Sequence, residues 1–403
     1  MTPKDSKHET DCNGGSSPLP HGWRRATLRE VCTIIAGQSP PGETYRKSPE
    51  GLPFFQGKAD FGARHPVART WCVAPTKIAL VGDILISVRA PVGPTNVADV
   101  QCCIGRGLAA IRPRAGLADR DFILSALKLY ESELAQLGSG STFQAISREV
   151  LEALPIPIPP ISEQRRIAAR LDEQLAVVGQ ARLALQAQAD AAQALPALQL
   201  RAAFTNTVAS RWPKSRLGDL LRLRKEVVHP RDNPSGPAVF VGLEHVQSLT
   251  GERIGSLPVE MSQLTGRKPR FYTGDIVYGY LRPYLNKLWV AEFDGLCSVD
   301  QYVYEVNREK ADTGFIAWFM RSPIYLERAP VDASPGQLPR IRTEEVASVE
   351  INLPPLNQQR TLVAQIENEF TETTALKQTL SARFAALDHM PAALLREAFA
   401  GRL

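Results

Sequence analysis

The sequence holds no apolar run near the roughly 18 to 20 residues that a membrane span requires, which excludes a helical membrane protein. Its first stretch, Met1 to Pro20, is polar and has no apolar segment of the kind a secretory signal needs, so it reads as a disordered leader. Cysteine is sparse and irregular. Cys12, Cys32, Cys72, Cys102, Cys103 and Cys297 form no Cys-x-x-Cys pair and no disulfide framework, which points to reduced thiols and a cytoplasmic location. No Cys/His cluster has zinc-ligand spacing, so no metal site is expected. Six scattered histidines suggest no His-centred triad. Neither an Asn-Pro-Pro-Tyr nor an Asp-Pro-Pro-Tyr motif for amino-methylation occurs, and no Gly-rich cofactor loop follows a strand. The stretch Gly51 to Ala59 has one residue too many between its glycines for a phosphate-binding Walker loop, and Ala59 lacks the metal-binding hydroxyl. These absences together favour a binding protein over an enzyme, with no catalytic residue and no cofactor in this chain. A large charge of one sign is missing too. The net charge is +5 over 403 residues. From His21 to Ile161 there are 16 basic against 12 acidic residues, and from Ser210 to Leu356 19 against 18. That is weaker than the charge of an obviously basic nucleic-acid domain.

What the sequence does have is an internal copy. Ile156-Pro-Ile-Pro-Pro-Ile-Ser-Glu-Gln-Arg-Arg-Ile167 is answered by Ile351-Asn-Leu-Pro-Pro-Leu-Asn-Gln-Gln-Arg-Thr-Leu362, at an offset of 195. Pro196 to Phe204 is answered by Pro391 to Phe399 at the same offset. Upstream, Trp23 and Leu28 to Val31 correspond to Trp212 and Leu217 to Leu220 at 189, and Gly82 to Leu85 with Pro91 corresponds to Gly274 to Val277 with Pro283 at 192. The offset drifts in the regions before each Pro-Pro motif and is constant after it. This is domain duplication, with a period too long for a solenoid. It gives two heads that carry the insertions, each followed by a helical segment of constant offset that serves as scaffold.

Ser162 and Asn357 are expected to cap the helices that follow, with Glu163 favourably placed in the first turn. Leu171, Val178, Leu185 and Ala192 recur every seven residues, with Leu175 a turn beyond Leu171. Ile366, Thr373, Leu380 and Leu387 do the same, with Phe370 matching Leu175. A sustained seven-residue stripe calls for a partner helix. Leu171, Leu175, Val178, Leu185, Ile366, Phe370, Leu380 and Leu387 are the expected coiled-coil interface, each helix pairing with the other. That each helix packs only on its own head stays open. Pro196 and Pro391 are expected to break each helix before a short amphipathic one. Ser162 to Leu195 would span about 51 Å, enough to hold two readers about one DNA turn apart, roughly 34 to 36 Å.

The heads mix short β-rich runs with turns. Strands are expected at Ile78 to Val81, Ile84 to Val88 and Leu108 to Ile111, then at Val239 to Val241, Ile276 to Tyr278, Leu288 to Val290 and Gln301 to Val306. Tight turns are expected at Gly82-Asp83 and Gly274-Asp275, and helices at Asp121 to Leu137 and Phe315 to Arg328. The fold class is mixed α/β: two tandem globular heads separated by two long antiparallel helices in a pseudo-two-fold coiled coil. The boundaries are a leader 1–20, heads 21–161 and 210–356, and helical segments 162–209 and 357–403. Loops that combine cations with aromatic or amide neighbours are the candidate DNA contacts, because such side chains reach phosphates and base edges. In the first head these are Tyr45, Arg46, Lys47, Lys58, Arg64, Arg89, Ser141, Thr142 and Gln144. In the second they are His245, Tyr280, Arg282, Tyr284, Asn286, Lys287, Gln337 and Arg340.

The run from Gly138 through Gln144-Ala-Ile-Ser-Arg-Glu-Val-Leu-Glu-Ala-Leu-Pro-Ile-Pro-Ile-Pro-Pro-Ile-Ser-Glu-Gln-Arg-Arg-Ile167 resembles the junction of recognition domain and conserved helix in specificity subunits of type I restriction-modification enzymes. The resemblance runs from about His21 to the C-terminus. The second copy departs from it, with Asn352 at the position of Pro157, Gln358 at that of Glu163, and Arg342-Thr343 at that of Ile146-Ser147. The resemblance implies a non-catalytic subunit whose two target-recognition domains each read half of a bipartite double-stranded DNA target through the major groove. It implies helices that set the spacer and dock two methyltransferase subunits, with restriction subunits joining that core. S-adenosylmethionine, ATP and magnesium would belong to those partners. The alternative is a duplicated coiled-coil adaptor that holds two partner proteins without reading DNA.

Overall fold

The structure, a computed structural model, describes residues 19–137, 145–330 and 338–403. The chain divides into two compact units, one running to Ala184 and including Arg383–Leu403, the other Leu185–Ala382. The leader up to residue 18, with Cys12, and the loop candidates Ser141, Thr142, Gln144 and Gln337 lie outside the described residues.

In the first unit, Arg24–Thr27 pairs antiparallel with Pro155–Ile158. A four-stranded antiparallel sheet runs in the order Cys32–Ala36, Leu108–Pro113, Ile84–Ser87, Thr95–Val97. A five-stranded sheet runs Tyr45–Arg46, Trp71–Cys72, Leu52–Phe55, Cys102–Ile104, Ile78–Ala79, with Leu52–Phe55 and Cys102–Ile104 parallel. The strand expected to reach Val81 stops at Ala79 because the Leu80 amide is taken by Asp83 Oδ2 at 2.7 Å. Gly82 makes that turn at φ +87°, where a side chain would be strained. The expected helix 121–137 is two helices, Arg120–Leu129 and Glu131–Leu137. The first buries Phe122, Ile123, Ala126 and Leu127 against Ile84, Ile86 and Ile111.

The second unit repeats the plan. Lys214–Arg216 pairs with Glu350–Asn352. The four-stranded sheet runs Leu221–Leu223, Gln301–Val306, Ile276–Gly279, Leu288–Val290, and the five-stranded one Val227–Val228, Lys268–Phe271, Gly295–Cys297, Pro237–Val241, Leu257–Glu260. The parallel pair recurs at Pro237–Val241 and Gly295–Cys297. The helix expected over 315–328 is Thr313–Arg321 followed by Pro323–Arg328.

The two long helices are Ile161–Thr205 and Leu356–Phe399, of 45 and 44 residues, about 67 and 66 Å. Both start one residue before the expected caps. Pro160 occupies the cap position and its carbonyl accepts from the Glu163 and Gln164 amides at 2.9 and 3.0 Å. Pro355 does the same for Gln358 and Gln359 at 2.9 and 3.1 Å. Ser162 and Asn357 are therefore exposed first-turn residues, not caps. Nor do Pro196 and Pro391 break the helices. An internal proline costs about 3 kcal/mol. The turns after it are anchored in a core: Leu200 and Phe204 in the second unit, Leu395, Ala398 and Phe399 in the first. That burial keeps the helix continuous past the proline.

Leu171, Val178, Leu185 and Ala192 are buried, as are Ile366, Thr373 and Leu380. Leu175, Phe370 and Leu387 are half-buried. Part of the stripe packs on the heads: Leu171 joins the first unit's core, and the Phe370 ring sits 4.5 Å from that of Trp318. The two helices also touch within each unit. Arg182 Nη1 lies 2.5 Å from Asp388 Oδ1 in the first, and Gln199 Nε2 donates to Thr373 Oγ1 at 3.3 Å in the second.

Candidate nucleic-acid interface

Each head is fixed to the start of its long helix by one buried glutamine. Gln164 is fully buried. Its Oε1 accepts from the Asp119 amide at 2.8 Å, and its Nε2 donates to the carbonyls of Leu117 (3.0 Å) and Pro159 (2.9 Å). Gln359 is equally buried and makes the same three bonds, to the Asp312 amide (2.7 Å) and the carbonyls of Lys310 (3.2 Å) and Pro354 (2.7 Å). Asp119 and Asp312 in turn cap the head helices Arg120–Leu129 and Thr313–Arg321 through their side chains. One side chain thereby ties the proline turn, the head helix and the long helix together. Neither glutamine stands out by residue type, although the motif holds both at the 195-residue offset.

The same duplication orients the outer loops. Asp83 is buried and takes both Nε and Nη2 of Arg112, at 2.8 and 2.7 Å. Asp275 is buried and takes Nε and Nη2 of Arg224, at 2.6 and 3.0 Å. These hydrogen bonds hold both guanidinium groups above their ordinary pKa. Each aspartate starts a central strand, Ile84–Ser87 or Ile276–Gly279. The far end of each strand leads into an Arg-Ala-Pro loop at 89–91 or a Leu-Arg-Pro loop at 281–283. Isolated bridges, Arg89 with Ala145 and Leu281 with Arg340, close the loops at equivalent places.

The expected contact residues divide. In the first head Lys47, Lys58 and Arg89 are exposed. Lys58 and Arg89 line one shallow pocket of about 210 Å³ together with Arg106, a lone cation between two glycines that no local motif marks. Tyr45 instead serves the fold: its hydroxyl donates to the Pro40 carbonyl at 2.9 Å and its ring packs on Phe54. Arg46 bonds the carbonyls of Glu43 and Tyr45, and Arg64 bridges Asp121 and Asp172 on the first long helix.

In the second head Arg282, Tyr284 and Arg340 are exposed, and Arg282 donates its amide to Pro339 at 2.7 Å, which brings the two loops together. Arg282 and Asn286 adopt left-handed backbone, as does Leu249, whose amide lies 3.2 Å from the Leu285 carbonyl. Left-handed non-glycine residues gathered in one loop cluster are a common mark of a functional surface. Three other candidates are structural. Asn286 is fully buried with Nδ2 on the Met320 carbonyl, His245 Nδ1 accepts from the Gly242 amide, and Lys287 Nζ donates to the Leu243 carbonyl. Tyr280 stacks on Tyr302 at 4.5 Å, and burial pushes its phenol pKa up.

A duplicated two-sheet head, latched each time to a long helix and offering loops with exposed arginine, defines a scaffolded recognition protein. Residues 20–177 match the family model described as the type I restriction modification DNA specificity domain. The chain is 43% identical over 155 residues to the putative type I restriction enzyme MjaX specificity subunit of Methanocaldococcus jannaschii, covering 38% of this chain and 36% of that one. It is 23% identical over 417 residues to the type I restriction enzyme EcoDI specificity subunit of Escherichia coli, covering 96% of this chain and 89% of the relative. A solved HsdS subunit from Thermoanaerobacter tengcongensis matches with 53% identity and a TM-score of 0.38 over 42% of this chain and 41% of that one. The first relative and this solved structure are thus matched over well under half of their own length. The first head and the start of the first long helix thus match the type I restriction modification DNA specificity domain, and nearly the whole chain is similar to a type I specificity subunit. Among the described residues, no helix is long and apolar enough to cross a membrane.

Proposed function

We propose that this chain is the non-catalytic, sequence-specific DNA-binding subunit of a type I restriction-modification complex. The observation that carries the reading is the pair of glutamine latches: two heads with different loops are fixed identically to two long helices. Such a design serves to hold two unlike readers at a set distance. The heads, 21–161 and 210–356, would each read one half of a bipartite asymmetric duplex through the major groove, with Arg89 and Arg282 on equivalent loops. The long helices would form an antiparallel, pseudo-two-fold coiled coil that sets the gap, a reading supported by the Arg182–Asp388 and Gln199–Thr373 contacts and the buried stripe. Two methyltransferase subunits would dock on those helices and restriction subunits would join them. S-adenosylmethionine, ATP and magnesium would then reside in those partners.

Binding of the chain, assembled with its methyltransferase partner, to duplex DNA tests this through salt. Phosphate contacts make affinity fall steeply with log salt. A steep slope supports the reading, whereas a flat one would mean that the chain joins proteins and does not grip DNA.

A further inference from the structure

Lys58, Arg89 and Arg106 converge on the pocket of about 210 Å³ in the first unit, and among the described residues none of the three is held in an ion pair. Most other arginines of this head are neutralised, including Arg24, Arg46, Arg64, Arg112, Arg120 and Arg148. Three like charges around one concavity repel each other unless an anion joins them. The concavity is built for a close approach. Gly107 packs so tightly that a Cβ would lie 2.2 Å from the Gln56 carbonyl oxygen. Its own carbonyl is fixed by the Val88 amide at 3.0 Å, and the Arg106 amide rests on Ser39 Oγ at 3.4 Å. Gly57, also in the lining, meets nothing within 4 Å where a side chain would stand, so the mouth is open.

The corresponding place in the second unit is different. Lys58 opens the short 3-10 turn after its strand, where the second head has Leu243. Arg89 sits at the isolated bridge, where the second head has Leu281. Arg106 stands two residues beyond Ile104, which pairs in parallel with Phe55. Two residues beyond Cys297, which pairs in the same way with Val241, is Val299. All three cations are replaced by aliphatic side chains.

We propose that Lys58, Arg89 and Arg106 form a cradle for a backbone phosphodiester of DNA, present in the first head and absent from the second. The cradle rests on the DNA-binding reading above. It makes the first head the electrostatic anchor, and the second head lacks this triad of cations. Arg106 is a binding residue by this assignment and Gly57 the position that keeps the cradle open.

The test is the salt dependence of DNA binding by the full chain assembled with its methyltransferase subunits. Lys58→Gln and Arg106→Gln should each flatten the slope of log affinity against log salt by about 0.9, without changing the preferred target sequence. Arg29→Gln, an exposed charge outside the lining, should flatten it much less. Gly57→Leu keeps every charge and has room to fold, so it should weaken binding by filling the mouth. Slopes unchanged by the two cation variants, an equal effect from Arg29→Gln, or full affinity in Gly57→Leu would each overturn the cradle. A wild-type complex that binds no duplex would instead overturn the DNA-binding reading itself.

Discussion

The backbone amide of Asp119 donates to Gln164 Oε1 at 2.8 Å, and through that bond the cap of a head helix is fastened to the first turn of a 45-residue helix. Gln359 repeats it at Asp312, 195 positions later. A buried amide that satisfies one donor and two carbonyls is costly to replace, since each orphaned group loses about 1 to 3 kcal/mol.

Gln164→Ala should therefore destabilise the first unit by about 2 to 4 kcal/mol, seen as faster amide exchange across the helix Arg120–Leu129. Exchange unchanged from wild type would show that the latch carries no load. Gln359→Ala should act on Thr313–Arg321 and leave the first unit as it was.

Ser162→Ala makes the contrasting case. A helix-capping serine costs about 1 kcal/mol to remove. Because Pro160 caps this helix and Ser162 is exposed, the variant should unfold within about 0.5 kcal/mol of wild type in urea. A loss of a full kcal/mol would restore Ser162 as the cap.

Burial pushes the thiols of Cys32, Cys102 and Cys297 up to about 12. At pH 8 they hold almost no thiolate, so alkylation should reach these three only after denaturation, as mapped by peptide mass. Rapid native labelling at Cys297 would contradict this. The linkage has a definite sign. Below about 8.5, where an unfolded thiol starts to ionise, the contribution to stability is complete. It is lost as pH rises from there towards 12, because the unfolded chain then binds fewer protons.

Four residues inserted within Gln186–Ala194 add a rise of about 6 Å to the first long helix. If the helices act as a ruler, the preferred gap between half-sites should grow by roughly 1 to 2 base pairs, read by target selection. An unchanged gap would refute the ruler while leaving the heads' recognition intact.

Much of this was legible in the sequence because duplication prints the same physics twice. The Gly-Asp turns, the strands Leu288–Val290 and Gln301–Val306, and the buried seven-residue stripe all follow from local pattern. What escaped depends on tertiary context. Pro196 and Pro391 read as helix breaks, but the buried Leu200, Phe204, Leu395 and Phe399 outweigh the lost hydrogen bond. Asn286 and His245 look like base readers by residue type, yet burial turns them inward. The partner of each turn aspartate was equally hidden. Arg112 comes from the strand on one side in the first head, whereas Arg224 follows the strand at the sheet's edge in the second, where Glu305 stands in place of Arg112. No linear pattern reveals such an exchange.

The decisive measurement is selection from random-sequence duplexes by the full complex, repeated with Arg89→Ala and with Arg282→Ala. Two defined half-sites with a constant gap should emerge; Arg282→Ala should relax only the half read by the second head, and Arg89→Ala, which removes a phosphate contact, should weaken binding and relax neither half. Selection of a single continuous site, or relaxation of both halves by either variant, would contradict a chain that reads DNA through two separately mounted heads.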